Sequence, residues 1–440
     1  MRSSHLTRIL ALLVAAALYP AMASSQEWCD APICARLEGT DLIRIRAPGR
    51  LELTFTQARG FGDVVYDLQA DPGMLHNLAA SHLDVNGIFW SKISEIGDSS
   101  SYSANNATVL EVLEASGVRV RVSHTGKHHR YGIVGQPWND LGYTQKFTVY
   151  ATGEVFVDYA LDATRDIELQ SFTMVVKSTG DWGPFGQGAG AGEAHCVAQH
   201  GTEVPYGTTA SSFAMVTSNG SLYFADMLMA MYSGIHNGAY WNEGFADLDF
   251  RCGLFFDDFH PTLQTGTSRV SVMMRVAQDM NDAASAATYA DAYRQPDMAF
   301  QVIQGTQVLD DPGDFDDDGF NETEGAYVLR RQVGQDVEFL LHAGVPRPNP
   351  AFKILDWNQP SPQSLWIDGV PHAAGAQFRA SVAGGTLIVQ LLGDRNADTN
   401  VRIAGEAVQV PALPWLGGAL LAAALGASGA RRIARSLRTS

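Results

Sequence analysis

The chain has 440 residues, with 30 basic and 47 acidic side chains and a formal net charge of −17. An acidic balance of this size excludes nucleic acid and anionic lipid as main partners, because both demand a basic footprint. The length allows a large buried core, and 43 glycines with little long helical periodicity point to a mainly β chain with many turns.

Residues 1–23 have the form of a secretory signal peptide. Arg2 and Arg8 supply a positive start, Ile9 to Tyr19 an apolar stretch, and Ala21-Met22-Ala23 a small-x-small cleavage pattern. Export permits disulfides. Four cysteines, Cys29, Cys34, Cys196 and Cys252, allow three pairings. The preferred pairing closes a small loop with Cys29–Cys34 and staples the large domain with Cys196–Cys252. A zinc site is disfavoured, because the spacings lack two close pairs.

Residues 24–300 are expected to form a large antiparallel β domain. Val118, Val120 and Val122 alternate with Arg119 and Arg121, and Val270, Val272, Met274 and Val276 alternate with Arg269, Ser271 and Arg275. That period of two marks half-buried strands. Tyr143 to Tyr150, Glu154 to Leu161 and Ile167 to Val176 extend the pattern as a meander. One short helix is expected over Asn281 to Arg294, with a polar N-cap and Pro296 as its stop. Histidines cluster at His124, His128 and His129 and again at His195 and His200, with Tyr206 and several other aromatics nearby. Aromatic faces with neutral His or Tyr are what sugar sites use, so His124, His195, His200 and Tyr206 are the candidate catalytic groups. For each the plainer alternative is a hydrogen-bonded residue of a strand or loop. No phosphate loop, dinucleotide fingerprint, nucleophile elbow or HExxH motif occurs.

Residues 301–334 are expected to form a calcium-binding junction. Asp314-Phe315-Asp316-Asp317-Asp318-Gly319 places aspartates at alternate positions of a tight turn, and calcium needs six to eight oxygens. Asp314, Asp316, Asp318, the Phe320 carbonyl, Glu322 and Glu324 are the candidate ligands. The loop resembles those of the dockerin and thrombospondin type 3 kind, but its twelfth position is Gly325, where an EF-hand has glutamate. A solvated acidic linker is the alternative. Residues 335–404 are expected to form a small β-sandwich, with hairpins at Asp368-Gly369 and Gly384-Gly385.

Residues 405–430 carry a sorting motif and an apolar run, and residues 431–440 a basic tail. Val410 to Ala430 is uncharged and is long enough to cross hydrocarbon as a transmembrane helix. Arg431, Arg432, Arg435 and Arg438 would hold the tail inside. With Val410-Pro411-Ala412-Leu413-Pro414-Trp415 ahead of it, this end resembles PEP-CTERM-type sorting signals, nearer their IPTL-type variants. The resemblance implies an exosortase-like sorting protease as a partner. It implies inner-membrane anchoring facing the periplasm, or transfer to the surface after processing.

The segments Tyr66 to Pro72 and Phe147 to Val155 loosely resemble the β-supersandwich of galactose mutarotase-like domains, as in polysaccharide lyases. The fold expected is thus a large β-sandwich or supersandwich followed by a small β-sandwich. Two functions stay open. One is a calcium-stabilised envelope protein that binds extracellular polysaccharide or has a structural surface role. The other is a polysaccharide-active lyase or hydrolase on the same architecture.

Overall fold

In a computed structural model, the described residues are 28–57, 60–75, 77, 89–130, 136–178, 212–217, 220–228, 237–243, 250–256, 262–276, 300–314, 317–342 and 347–404. The expected leader, the helix at 281–294, the apolar run at 410–430, and His195, His200, Tyr206, Cys196 and Asp316 lie outside them. The fold is mainly β, with no helix among the described residues.

A four-stranded antiparallel sheet runs in sequence order through β1 (Cys34–Glu38), β2 (Leu42–Ala47), β3 (Leu51–Thr56) and β4 (Gly60–Asp67). The second sheet contains twelve strands. They are β5 (Phe89–Glu95), β6 (Ser101–Ala115), β7 (Arg119–Arg130), β8 (Pro137–Tyr150), β9 (Glu154–Ala163), β10 (Ile167–Ser178), β11 (Ser212–Thr217), β12 (Gly220–Leu228), β13 (Asn237–Glu243), β14 (Phe250–Phe256), β15 (Thr262–Leu263) and β16 (Gly266–Val276). Its order is β11-β12-β16-β9-β8-β7-β6-β5-β10-β14-β13, with β15 also paired to β10. Cys252 sits on β14 opposite Trp241 and Val176. Cys29 and Cys34 form a disulfide at the start of β1, with a Cα–Cα distance of 5.6 Å.

The rest of the described chain forms a second unit. It holds β17 (Phe300–Gln304), β18 (Thr306–Gln307), β19 (Phe320–Asn321), β20 (Ala326–Arg330), β21 (Val337–Leu341), β22 (Arg347–Pro348), β23 (Ala351–Leu355), β24 (Ser364–Ile367), β25 (Val370–Ala373), β26 (Phe378–Ala383), β27 (Thr386–Leu391), β28 (Asp394–Arg395) and β29 (Thr399–Ile403). One sheet is β17-β21-β29-β24-β25, and the other is β18-β20-β23-β27-β26 with β19 on β20. A short β22-β28 pair stands beside them. Residues 301–334, expected as a junction, therefore contribute strands to both sheets of this unit. Phe339 and Phe352 meet between the sheets at 4.3 Å, and Phe300 stacks on Tyr327 at 4.6 Å. The hairpins at Asp368-Gly369 and Gly384-Gly385 hold positive φ at both central residues, as two-residue turns require.

Strand alternation gives the large sheet two faces with different partners. On one face Val120, Val122, His124, Phe147, Val157 and Tyr159 are buried. Phe55 of β3 meets Phe147 there at 4.9 Å, so the four-stranded sheet covers this side. The opposite face carries Arg119, Tyr150, Glu154, Phe156, Asp158, Ser271, Met273 and Arg275, all buried as well. Tyr150, Phe156 and Met273 belong to the same apolar cluster as Tyr327, Phe352 and Leu387 of the second unit. The polar residues of β16 and β9 thus meet protein where alternation alone would suggest solvent.

Gly325 shows how close that approach is. Its φ of +65° is left-handed, and a Cβ at this position would run into the Phe156 ring. Phe156→Ala is expected to cost about 3–5 kcal/mol in urea unfolding. Gly325→Ala should then be milder in the Phe156→Ala background than alone, because the ring it strikes is gone; strictly additive losses would contradict this packing.

Candidate functional site

Three groups of chemically capable side chains occur among the described residues. The first is the acidic loop. Ligand atoms of Asp314, Asp318 and Glu322 all lie within 4.8 Å of one another, and these three carboxylates could hold a metal ion. Asp314 and Glu322 are buried and Asp318 is partly so. The loop is shaped from within. Asp314 accepts the backbone N–H groups of Asp318 at 3.2 Å and Gly319 at 2.7 Å. Asp318 accepts that of Phe320 at 2.7 Å, and its carbonyl accepts from Gln307 Nε2 at 2.7 Å. Gly319 has φ +87°, and a Cβ there would strike the Gln307 side chain, so the turn needs glycine.

The loop is also fastened from outside. Arg269 Nη1 donates to the Pro312 carbonyl at 2.5 Å while its other nitrogens grip Asp158 at 3.0 and 2.6 Å. Ser271 Oγ donates to the Glu322 carbonyl and Tyr150 OH to the Glu324 carbonyl, both at 2.8 Å. Backbone oxygens of the loop are therefore held by β8 and β16 of the large sheet.

The second group surrounds Glu324. The structure turns this candidate ligand toward cations: Arg119 Nη2 lies 2.8 Å from Oε2, with Arg121 at 3.3 Å and Lys353 at 3.1 Å from Oε1. Burial works to raise the Glu324 pKa, but Arg119, Arg121 and Lys353 outweigh it and bring it down to about 2. Arg119 is completed by Glu114 at 3.0 Å and Tyr150 at 3.4 Å. Lys353 also reaches Asp311 at 3.0 Å. Phe320, expected to offer its carbonyl, lies on β19 opposite Tyr327 with its ring buried. Sequence reading passed over Glu114, Arg119, Arg121 and Lys353; the available signal was charge at alternate positions of strands with apolar inner faces.

The third group is the first histidine cluster. His124 and His128 are fully buried on the face covered by the four-stranded sheet. Tyr143 OH lies 3.3 Å from His124 Nδ1, and Tyr159 OH 3.1 Å from His128 Nε2. His124 Nε2 reaches the Gln57 carbonyl at 3.3 Å. Burial pulls the His124 imidazole down to about 4 and that of His128 to about 3. Both rings are neutral at pH 7 and serve as hydrogen-bonding parts of the sheet core.

No family model and no curated protein matches the chain. Similar solved structures include a Paenibacillus xanthan lyase, with a TM-score of 0.35 and 9% identity over 90% of this chain and 39% of the lyase. A galactose 1-epimerase from Lactobacillus acidophilus gives a TM-score of 0.29 and 8% identity over 56% of this chain and 98% of the epimerase. A heparan sulfate lyase from Pedobacter heparinus gives 0.24 and 7%, over 54% and 33%. The chain spans well under half of either lyase. No residue role is carried over from them.

The buried histidines set an acid limit. Unfolded imidazoles bind a proton near pH 6.5, whereas these resist it until about 4 and 3. Their contribution is full above pH 6.5 and is lost as pH falls toward those values, by roughly 1.4 kcal/mol per pKa unit and histidine. The urea midpoint should fall steeply between pH 6.5 and 4, and His128→Asn, though less stable at pH 7, should flatten that slope. An unchanged slope in the variant would contradict the assignment.

Proposed function

We propose that the protein is an exported, envelope-attached β-protein that handles polysaccharide, its two units locked together by calcium at the loop 314–324. The observation that carries the calcium lock is the convergence of Asp314, Asp318 and Glu322 in a loop whose carbonyls are gripped by Arg269, Ser271 and Tyr150. Three carboxylates that close repel one another, and a divalent cation turns that repulsion into coordination. Oxygen donors only suit calcium, whose shell of six to eight oxygens is less exacting than the tighter octahedron of magnesium. Asp316, between two of these ligands in sequence, is the fourth candidate.

Polysaccharide handling rests on the export signals, on the absence of a basic footprint, and on the aromatic and histidine content of residues 124–241. Between binding and chemistry, the similar solved structures named above are enzymes acting on carbohydrate, so turnover is the reading to test first. His124 and His128 are fully buried, so His195, His200 and Tyr206 are the candidates for proton transfer to test first.

Calcium at a hundredfold over its dissociation constant adds about 2.7 kcal/mol by linkage. Millimolar calcium should therefore raise the melting temperature, magnesium much less, and Asp318→Asn should remove the response; identical melting in chelator and calcium would end the calcium reading. Incubation with a panel of acidic and neutral polysaccharides should give new reducing ends or unsaturated products, abolished by His195→Ala. Retention on a polysaccharide column without turnover would assign binding instead, and the absence of both turnover and retention would refute the polysaccharide role.

A further inference from the structure

Between the two units lies a cleft of about 160 Å³, lined by Glu114, Arg119 and Arg121 of the large sheet and by Lys353, Ser381 and Thr386 of the second unit. Its acceptors and donors are unequally used. Glu114 takes both its oxygens to Arg119 Nε at 3.1 and 3.2 Å. Glu324, beside the cleft, has Arg121 and Lys353 on one oxygen and Arg119 on the other. Both carboxylates are thus ion-paired, although Glu324 Oε2 meets Arg119 without a hydrogen bond. Arg121 keeps spare donors: a guanidinium has five N–H donors, and among the described residues its one ion pair is with Glu324, at 3.3 Å. Its buried Nε has no hydrogen-bond partner. Its side chain keeps 23% exposure, the most open of the three cations that bind Glu324. Ser381 and Thr386 add hydroxyls from the adjacent strands β26 and β27.

A cleft whose carboxylates are already ion-paired and whose Arg121 keeps spare donors suits a ligand that brings acceptors. We propose that this cleft binds a small oxyanion, a carboxylate, sulfate or phosphate group, held by Arg121 with help from Lys353, Ser381 and Thr386. Guanidinium recognises such groups through paired N–H donors. The three cations are balanced by Glu114, Glu324 and Asp311, so attraction comes from short-range hydrogen bonds and the affinity sits in the millimolar range or somewhat tighter. An occupant would touch β7 and β26–β27 together and so tie the units at a second point.

The test is calorimetric titration of the full chain, in chelator so that the metal loop does not contribute, with sulfate, phosphate and acetate against chloride at matched ionic strength. At least one oxyanion should give saturable heat below roughly 10 mM, and which one does so identifies the group. Arg121→Gln should weaken it about 10- to 100-fold, the loss expected for charged hydrogen bonds. Thr386→Leu, which fills the cleft and leaves the ion pairs intact, should weaken it as much. General salting effects of sulfate would persist in both variants. No saturable heat from any of the three anions, or equal heat in wild type and both variants, would overturn the proposal.

Discussion

The architecture depends on how the outer face of the large sheet is buried. Arg119, Glu154, Asp158 and Arg275 are charged, yet the second unit covers them all. Burying such groups is costly unless each is paired. Here each is: Arg275 meets Glu154 at 2.7 Å, Arg269 clasps Asp158, and Arg119 meets Glu114 and Glu324. Asn349 Nδ2 donates to Glu154 at 2.9 Å, and Gln390 Nε2 to Thr152 at 2.7 Å. The pairing ties position as well as charge, because removing one partner would strand the other inside protein.

Glu324 is the point where this interface and the acidic loop meet. It is only two residues beyond Glu322, whose carboxylate lies with Asp314 and Asp318. The backbone turn between them is fixed by Asn321, whose Oδ1 accepts the Glu324 N–H at 2.7 Å, and whose carbonyl accepts that of Gly325 at 2.7 Å. One short segment therefore sends one carboxylate into the loop and the next into a cationic cleft. The loop and the contact between units thus share one stretch of backbone. This is the physical sense in which a metal at the loop would act on the whole molecule.

The two histidines of β7 show the opposite use of polar groups. Their neighbours are tyrosines on β8 and β9, and burial keeps them uncharged. They add direction to a core that Val, Phe and Leu would fill without it, at the expense of acid tolerance. The same residue type, placed where water could reach it, would titrate near neutrality.

Sequence by itself determined the β character, the strands carried by Val118 to Val122 and Tyr143 to Leu161, the two tight hairpins, and the acidic turn that needs Gly319. These are local properties: period two, positive φ and alternating carboxylates are each written within about ten residues. Only the tertiary structure decided which face of a strand meets water. Arg119 and Arg275 looked like solvent-facing positions because alternation cannot register a third layer, and that layer begins some 25 residues beyond β16. It likewise separated Glu324 from the other loop carboxylates, since the cations that claim it come from β7 and β23, far away in the chain. It buried His124, because the sheet that covers it is made from residues about 70 positions earlier, as its contact with Gln57 records. Each of these outcomes depends on long-range contact, and nothing in the local pattern could encode it.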